Sequence, residues 1–129
     1  MHTRDIMTTP LIALAPSTSL ADASQLMARH GFSTLPVVDD QGRLLGLLSE
    51  ETLAYVGVPT DDDDARLRTA AAVMRTPGVA ASADLDIAQV GHCMAETRVR
   101  ALPVVDEGTL VGMVTFQDVL RALPVAQLS

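Results

Sequence analysis

The sequence predicts an α/β (α+β) chain built as two β-α-β-β-α repeats, and three observations carry that reading. The pentapeptide Leu35-Pro36-Val37-Val38-Asp39 recurs unchanged as Leu102-Pro103-Val104-Val105-Asp106, 67 residues later. At that offset 12 of the 34 positions from Ile6 to Asp39 are identical, where about three are expected from average composition. Both copies also run through strand, amphipathic helix and two further strands in the same order.

Each copy opens on a short apolar strand, Leu11 to Leu14 in the first and Val79 to Ala81 in the second. Polar cap candidates follow, Ser17 and Ser19 or Asp84 and Asp86. The next helix buries Leu20, Ala23, Leu26 and Met27 in the first copy, and Ile87, Val90, Cys93 and Met94 in the second, both at helical spacing. Two strands come next, Thr34 to Val38 with Arg43 to Leu48, and Ala101 to Val105 with Thr109 to Val114. The turns between them hold Gly42 and Gly108, and the second turn is one residue shorter. A short helix closes each copy near Glu50 and near Phe116. A unit of about 50 residues is too small to cover both faces of its sheet, so two units are expected to pack together.

The expected divisions are repeat 1 over 1–58, a linker over 59–72, repeat 2 over 73–123 and a C-terminal tail over 124–129. The linker carries the acidic run Asp61 to Asp64 and leads into a helix expected through Leu67 to Met74.

Composition narrows the function classes. Nine basic against 16 acidic residues give a formal charge of −7, which repels phosphate backbones and anionic membranes over most of the surface. Aromatic residues make up only 2%, so the core is aliphatic and platforms for stacking bases are missing. We expect neither nucleic acid nor membrane as partner. The start Met1-His2-Thr3-Arg4-Asp5 does not read as a secretory leader, and His2 reads as a disordered tail. A single cysteine, Cys93, agrees with a reducing compartment, and the expected location is cytoplasmic.

The ordered set of Met-Thr/Arg-x-Pro, an apolar strand, an amphipathic helix, Leu-Pro-Val-Val-Asp, a glycine turn and Gly-x-x-Ser/Thr-x-x-Asp resembles CBS domains, named after cystathionine β-synthase. The resemblance covers residues 5 to 123, in two copies. It implies a Bateman module, in which two repeats pack pseudo-symmetrically through their sheets and leave two candidate clefts. It also implies an adenosyl effector ligand, namely AMP, ADP, ATP or S-adenosylmethionine, with no cofactor required, and pairing into a homodimer.

In the family the Gly-x-x-Ser/Thr-x-x-Asp hydroxyl donates to phosphate and the Asp accepts from ribose hydroxyls. Gly112 to Asp118 matches fully, through Thr115 and Asp118, whereas Gly46 to Thr52 keeps Ser49 but has Thr52 in place of the carboxylate. The resemblance therefore implies a stronger site on the second repeat. Helix capping alone is the competing reading of Thr115 and Asp118. Arg100 stands where some family members place a phosphate-reaching base, with Ser33 as its first-repeat counterpart; the alternative is a surface ion pair. Val79, Ala80 and Pro103, with Leu102, are adenine-lining candidates, and Ile12 is the counterpart in the weaker second site of Ser49, Thr52 and Ser33. Each apolar member is equally readable as core.

Other patterns carry less. His92-Cys93 are adjacent on a helix and point about 100° apart, so they do not converge on a metal or a nucleophilic pair. His30 fits a helix C-terminus. Asp61 to Asp64 lacks the spacing of a calcium loop, and no phosphate-binding P-loop is present. We expect no metal site, no catalytic residues and no enzymatic activity. Two functions remain: a ligand-sensing module acting on a separate effector protein, or an association module with vestigial clefts.

Overall fold

Backbone hydrogen bonding explains where each element begins and ends. The computed structural model describes residues 1–8, 12–57, 69–77 and 79–123. In chain order the elements are α1 (Thr3–Ile6), α2 (Leu20–His30), β1 (Thr34–Val38), β2 (Leu44–Ser49), α3 (Glu50–Val56), α4 (Ala70–Val73), β3 (Ala81–Ser82), α5 (Ile87–Thr97), β4 (Ala101–Asp106), β5 (Thr109–Thr115) and α6 (Phe116–Ala122).

Of the cap candidates, Ser19 and Asp86 are the ones used. Ser19 Oγ accepts from the Asp22 N–H at 3.0 Å and starts α2, and Asp86 Oδ2 accepts from the Ala88 N–H at 3.0 Å and starts α5. The two helices end alike, on a left-handed residue, Gly31 with φ 70° and Arg98 with φ 60°. β1 and β2 form an antiparallel hairpin, as do β4 and β5, each with one irregularity, between Val37 and Val38 and between Val104 and Val105. The β4–β5 turn places Glu107 and Gly108 at φ 51° and 83°, the pair of positive values that a two-residue hairpin turn uses.

The first strand of each repeat is shorter than expected. Leu14 makes a single parallel bridge to Val37, and β3 has two residues, paired parallel with β4 at Val104 and Val105. Proline accounts for this. The Leu14 N–H donates to Pro36 O at 2.8 Å and the Val38 N–H to Leu14 O at 2.9 Å. The next rung back requires an N–H from Pro36, or from Pro103 in the second repeat, and neither has one. The next rung forward exists in the second repeat, where the Ala83 N–H donates to Val105 O at 3.1 Å. Its first-repeat counterpart is Pro16, which again has no N–H. Leu11 lies outside the described residues.

Two further expectations are corrected. The helix expected through Leu67 to Met74 is a single turn, α4, because Thr69 and Met74 on either side are extended; Leu67 lies outside the described residues. His2, read as a tail, caps α1: its N–H donates to Asp5 Oδ2 at 2.8 Å, and it bridges to Asp86.

Two compact units result, Met1–Leu11 with Gly78–Ser129, and Ile12–Pro77. They cross the sequence repeats, because each lead-in segment packs on the other repeat. At the N-terminus the Thr3 N–H donates to Leu85 O, the Arg4 N–H to Ala83 O and the Thr8 N–H to Met113 O, at 2.8–3.0 Å. In the other unit the Ala70 N–H donates to Thr18 O, the Ala71 N–H to Pro16 O and the Arg75 N–H to Leu47 O, over the same range. These six bonds correspond one to one under the repeat, so the exchange is reciprocal.

Each unit has its own aliphatic core. One gathers Leu14, Leu20, Ala23, Met27, Leu35, Val37, Leu48, Leu53 and Ala70. The other gathers Ala81, Val90, Met94, Leu102, Val104, Val114 and Val119. Met27 and Met94 are buried as their helix faces require, while Leu26 and Cys93 are partly exposed. Among the described residues no helix is long and apolar enough to cross a membrane.

Candidate functional site

The second repeat builds its candidate site where β5 runs into α6. Thr115, extended at φ −105° and ψ 162°, caps the helix. Its Oγ1 accepts from the Asp118 N–H at 3.2 Å, while the Thr115 N–H donates to Asp118 Oδ2 at 2.9 Å. This reciprocal capping box satisfies two donors with one Thr and one carboxylate. Arg121 Nη2 donates to Asp118 Oδ1 at 2.8 Å, so both carboxylate oxygens are engaged. The capping role weighed in the sequence is therefore present. It leaves lone pairs open, since each carboxylate oxygen accepts about two hydrogen bonds.

Backbone pairing gathers most of the remaining second-repeat candidates. Ala101 at the start of β4 pairs with Thr115 at the end of β5, and the Phe116 N–H donates to Arg100 O at 2.9 Å. β3 runs parallel to β4, which places Val79 and Ala80, just ahead of β3, toward that same end. Val79 is half-buried against the core, while Ala80 and Arg100 are exposed. Pro103, one step back along β4 from the Ala81–Val104 pair and so level with Ala80, is buried opposite Met113.

The first repeat has the same frame with different chemistry. The Glu50 N–H donates to Ser33 O at 2.9 Å, matching the Arg100 contact. Ser49 Oγ accepts from the Thr52 N–H at 3.2 Å and lies 3.1 Å from Thr52 Oγ1. The helix is capped, but no carboxylate stands at Thr52. Ile12, half-buried, packs on that unit's core ahead of Leu14.

Two features escaped the sequence reading. One is Arg121, whose spacing of three residues from Asp118 was the available signal. The other is the work of the motif glycines. A Cβ on Gly112 lies 2.6 Å from Met7 Sδ, and one on Gly46 lies 2.8 Å from Met74 Sδ and 3.1 Å from Arg75 O. These glycines make room for the methionine of the exchanged lead-in segment. Neither has the positive φ of a turn glycine.

His92 pairs with Glu96 at 3.0 Å, and the His30 ring stacks on Phe32 with centroids 5.8 Å apart. Among the described residues no group of three or more His, Cys, Asp or Glu side chains is placed to hold a metal ion. Asp61 to Asp64 lie outside those residues.

Two repeats of the same element order, the first with a single bridge at Leu14 where the second has β3, each end in a Gly-x-x-Ser/Thr strand-to-helix cap and define a tandem repeat module. The CBS domain profile matches residues 4–58 and 70–125, and the chain belongs to that family as a tandem CBS pair. Hypoxic response protein 1 of Mycobacterium tuberculosis is 32% identical over 121 residues, covering 94% of this chain and 84% of that protein. Three solved structures share the fold. Hypoxic Response Protein I with two coordinated zinc ions is 31% identical, with TM-score 0.81 over 96% of this chain and 100% of that one. CBSX2 in complex with AMP is 28% identical, with TM-score 0.82 over 98% and 97%. The CBS domain pair of protein MJ0100, in complex with 5-methylthioadenosine and S-adenosyl-L-methionine, is 25% identical, with TM-score 0.80 over 94% of each chain.

Proposed function

We propose that the chain is a regulatory module that binds an adenosyl ligand, AMP, ADP, ATP or S-adenosylmethionine, chiefly through the second repeat. The observation that carries this is the Thr115–Asp118 cap, a carboxylate held at the end of the sheet where Arg100, Val79 and Ala80 also lie. Similarity to CBS pairs in complex with AMP and with S-adenosyl-L-methionine supports the ligand class. Asp118 accepts the ribose hydroxyls, Thr115 and Arg100 serve a phosphate or its equivalent, and the apolar strand residues lie against adenine. Thr52 has no carboxylate to offer, so the first-repeat site of Ser49, Thr52, Ser33 and Ile12 is weaker. Regulation follows from unequal affinity for two arrangements of the module, since equal affinity shifts nothing. The output passes to a separate effector protein in the cytoplasm.

Calorimetric titration with AMP, ATP and S-adenosylmethionine tests this. At least one is expected to give saturable heat that Asp118→Ala removes. No heat from any of the three at millimolar ligand overturns it.

Association of two copies is a second reading, favoured by exposed apolar side chains on the closing helices. Tyr55 is 92% exposed on α3 and Leu120 is 41% exposed on α6. Sedimentation equilibrium is expected to show a dimer that Tyr55→Glu with Leu120→Glu weakens; a monomer throughout sinks this reading.

A further inference from the structure

We propose that Arg121 is the positioning residue of the Asp118 carboxylate, and that it sets the preference of this site for ribose over deoxyribose. The inference rests on the adenosyl reading above and deepens it.

Asp118 is held from two sides. Oδ2 accepts from the Thr115 N–H at 2.9 Å, and Oδ1 accepts from Arg121 Nη2 at 2.8 Å. One bond to each oxygen fixes both side-chain torsions, so the open lone pairs face one way before any ligand arrives. A carboxylate with only the capping contact still rotates about its last bond and must be frozen on binding. Preorganisation removes that cost. Burial separates the two partners: the Asp118 side chain is 16% exposed and that of Arg121 74%. Arg121 thus acts from the solvent side and is open to substitution without a cavity forming.

The repeats supply an independent observation. Under the internal alignment, Thr52 stands at the Asp118 position and Tyr55 at the Arg121 position. The carboxylate and its guanidinium are absent together from the first repeat. There Thr52 lies against Ser49 Oγ, and Tyr55 is 92% exposed. A base kept only for the general benefit of a cation in the last turn of a helix has no reason to follow the carboxylate; a positioning residue does.

The test is titration of the full chain with AMP and with 2′-deoxyadenosine 5′-monophosphate, melting temperature being followed in parallel. Wild type is expected to prefer AMP. Arg121→Met is expected to lower that preference by up to about fivefold, the most that an exposed ion pair typically supplies, because the deoxy ligand keeps only the 3′-hydroxyl and loses less affinity than AMP. Arg121→Lys restores part of it, because a single ammonium replaces one of the guanidinium donors. A merely structural role moves the melting temperature and leaves the ratio of affinities alone. An unchanged ratio in Arg121→Met overturns the inference while the adenosyl reading stands. A wild type that binds neither nucleotide overturns both. In the first repeat, Thr52→Asp with Tyr55→Arg is expected to add a second ribose-selective event that Thr52→Asp alone does not; equal behaviour of the two variants also overturns the inference.

Discussion

The starts of α3 and α6 show how two copies of one backbone diverge in chemistry while remaining alike in geometry. In both, a hydroxyl residue caps the helix and the carbonyl of Ser33 or Arg100 takes the first helical N–H. In both, a glycine three residues ahead of the cap lets a methionine lie across the strand. Only α6 adds a carboxylate with an ion-pair partner. The frame is thus maintained by backbone bonds and packing, which tolerate exchange of Asp118 for Thr52. The chemistry rests on side chains that the frame does not require.

The comparison is broken most forcefully at the glycines. Gly112→Ala and Gly46→Ala are each expected to cost about 1–3 kcal/mol, measured by denaturant unfolding, because a Cβ meets the Met7 or Met74 side chain. Adding Met7→Ala is expected to relieve Gly112→Ala but not Gly46→Ala. Relief of Gly46→Ala by Met7→Ala contradicts the reciprocal exchange. A smaller difference lies at the caps. Asp118→Ala loses a capping bond and the Arg121 contact and is expected to cost about 1 kcal/mol. Thr52→Ala removes only a hydroxyl contact and is expected to cost about 0.5 kcal/mol or less. Equal losses remove the asymmetry. The smallest effect is a gain: Arg98 holds the left-handed position that Gly31 fills in the first repeat, and Arg98→Gly is expected to raise stability by about 0.5 kcal/mol.

Several features were legible for local reasons. Ser19 and Asp86 announce helices because a short oxygen-bearing side chain serves the first free N–H groups. Pro36 and Pro103 have no N–H to donate, and a full count of strand donors predicts the shortened first strands from sequence. Arg121 was legible by spacing, but a helical i,i+3 pair is common enough to be passed over. The burial of Pro103 opposite Met113 was not legible, because it depends on how β4 pairs with β5.

The sequence by itself determined the repeat, the order of elements, the aliphatic character of the cores and the inequality of Asp118 and Thr52. Each of these is written in residue type and short-range spacing. Tertiary structure alone decided which repeat each lead-in segment joins. Met7 and Met74 occupy the same place in the same local pattern, and either satisfies a glycine-bearing strand equally well by sequence. The choice lies in hydrogen bonds such as Thr3 to Leu85 and Ala70 to Thr18, which link parts of the chain far apart in sequence, and no local periodicity encodes them.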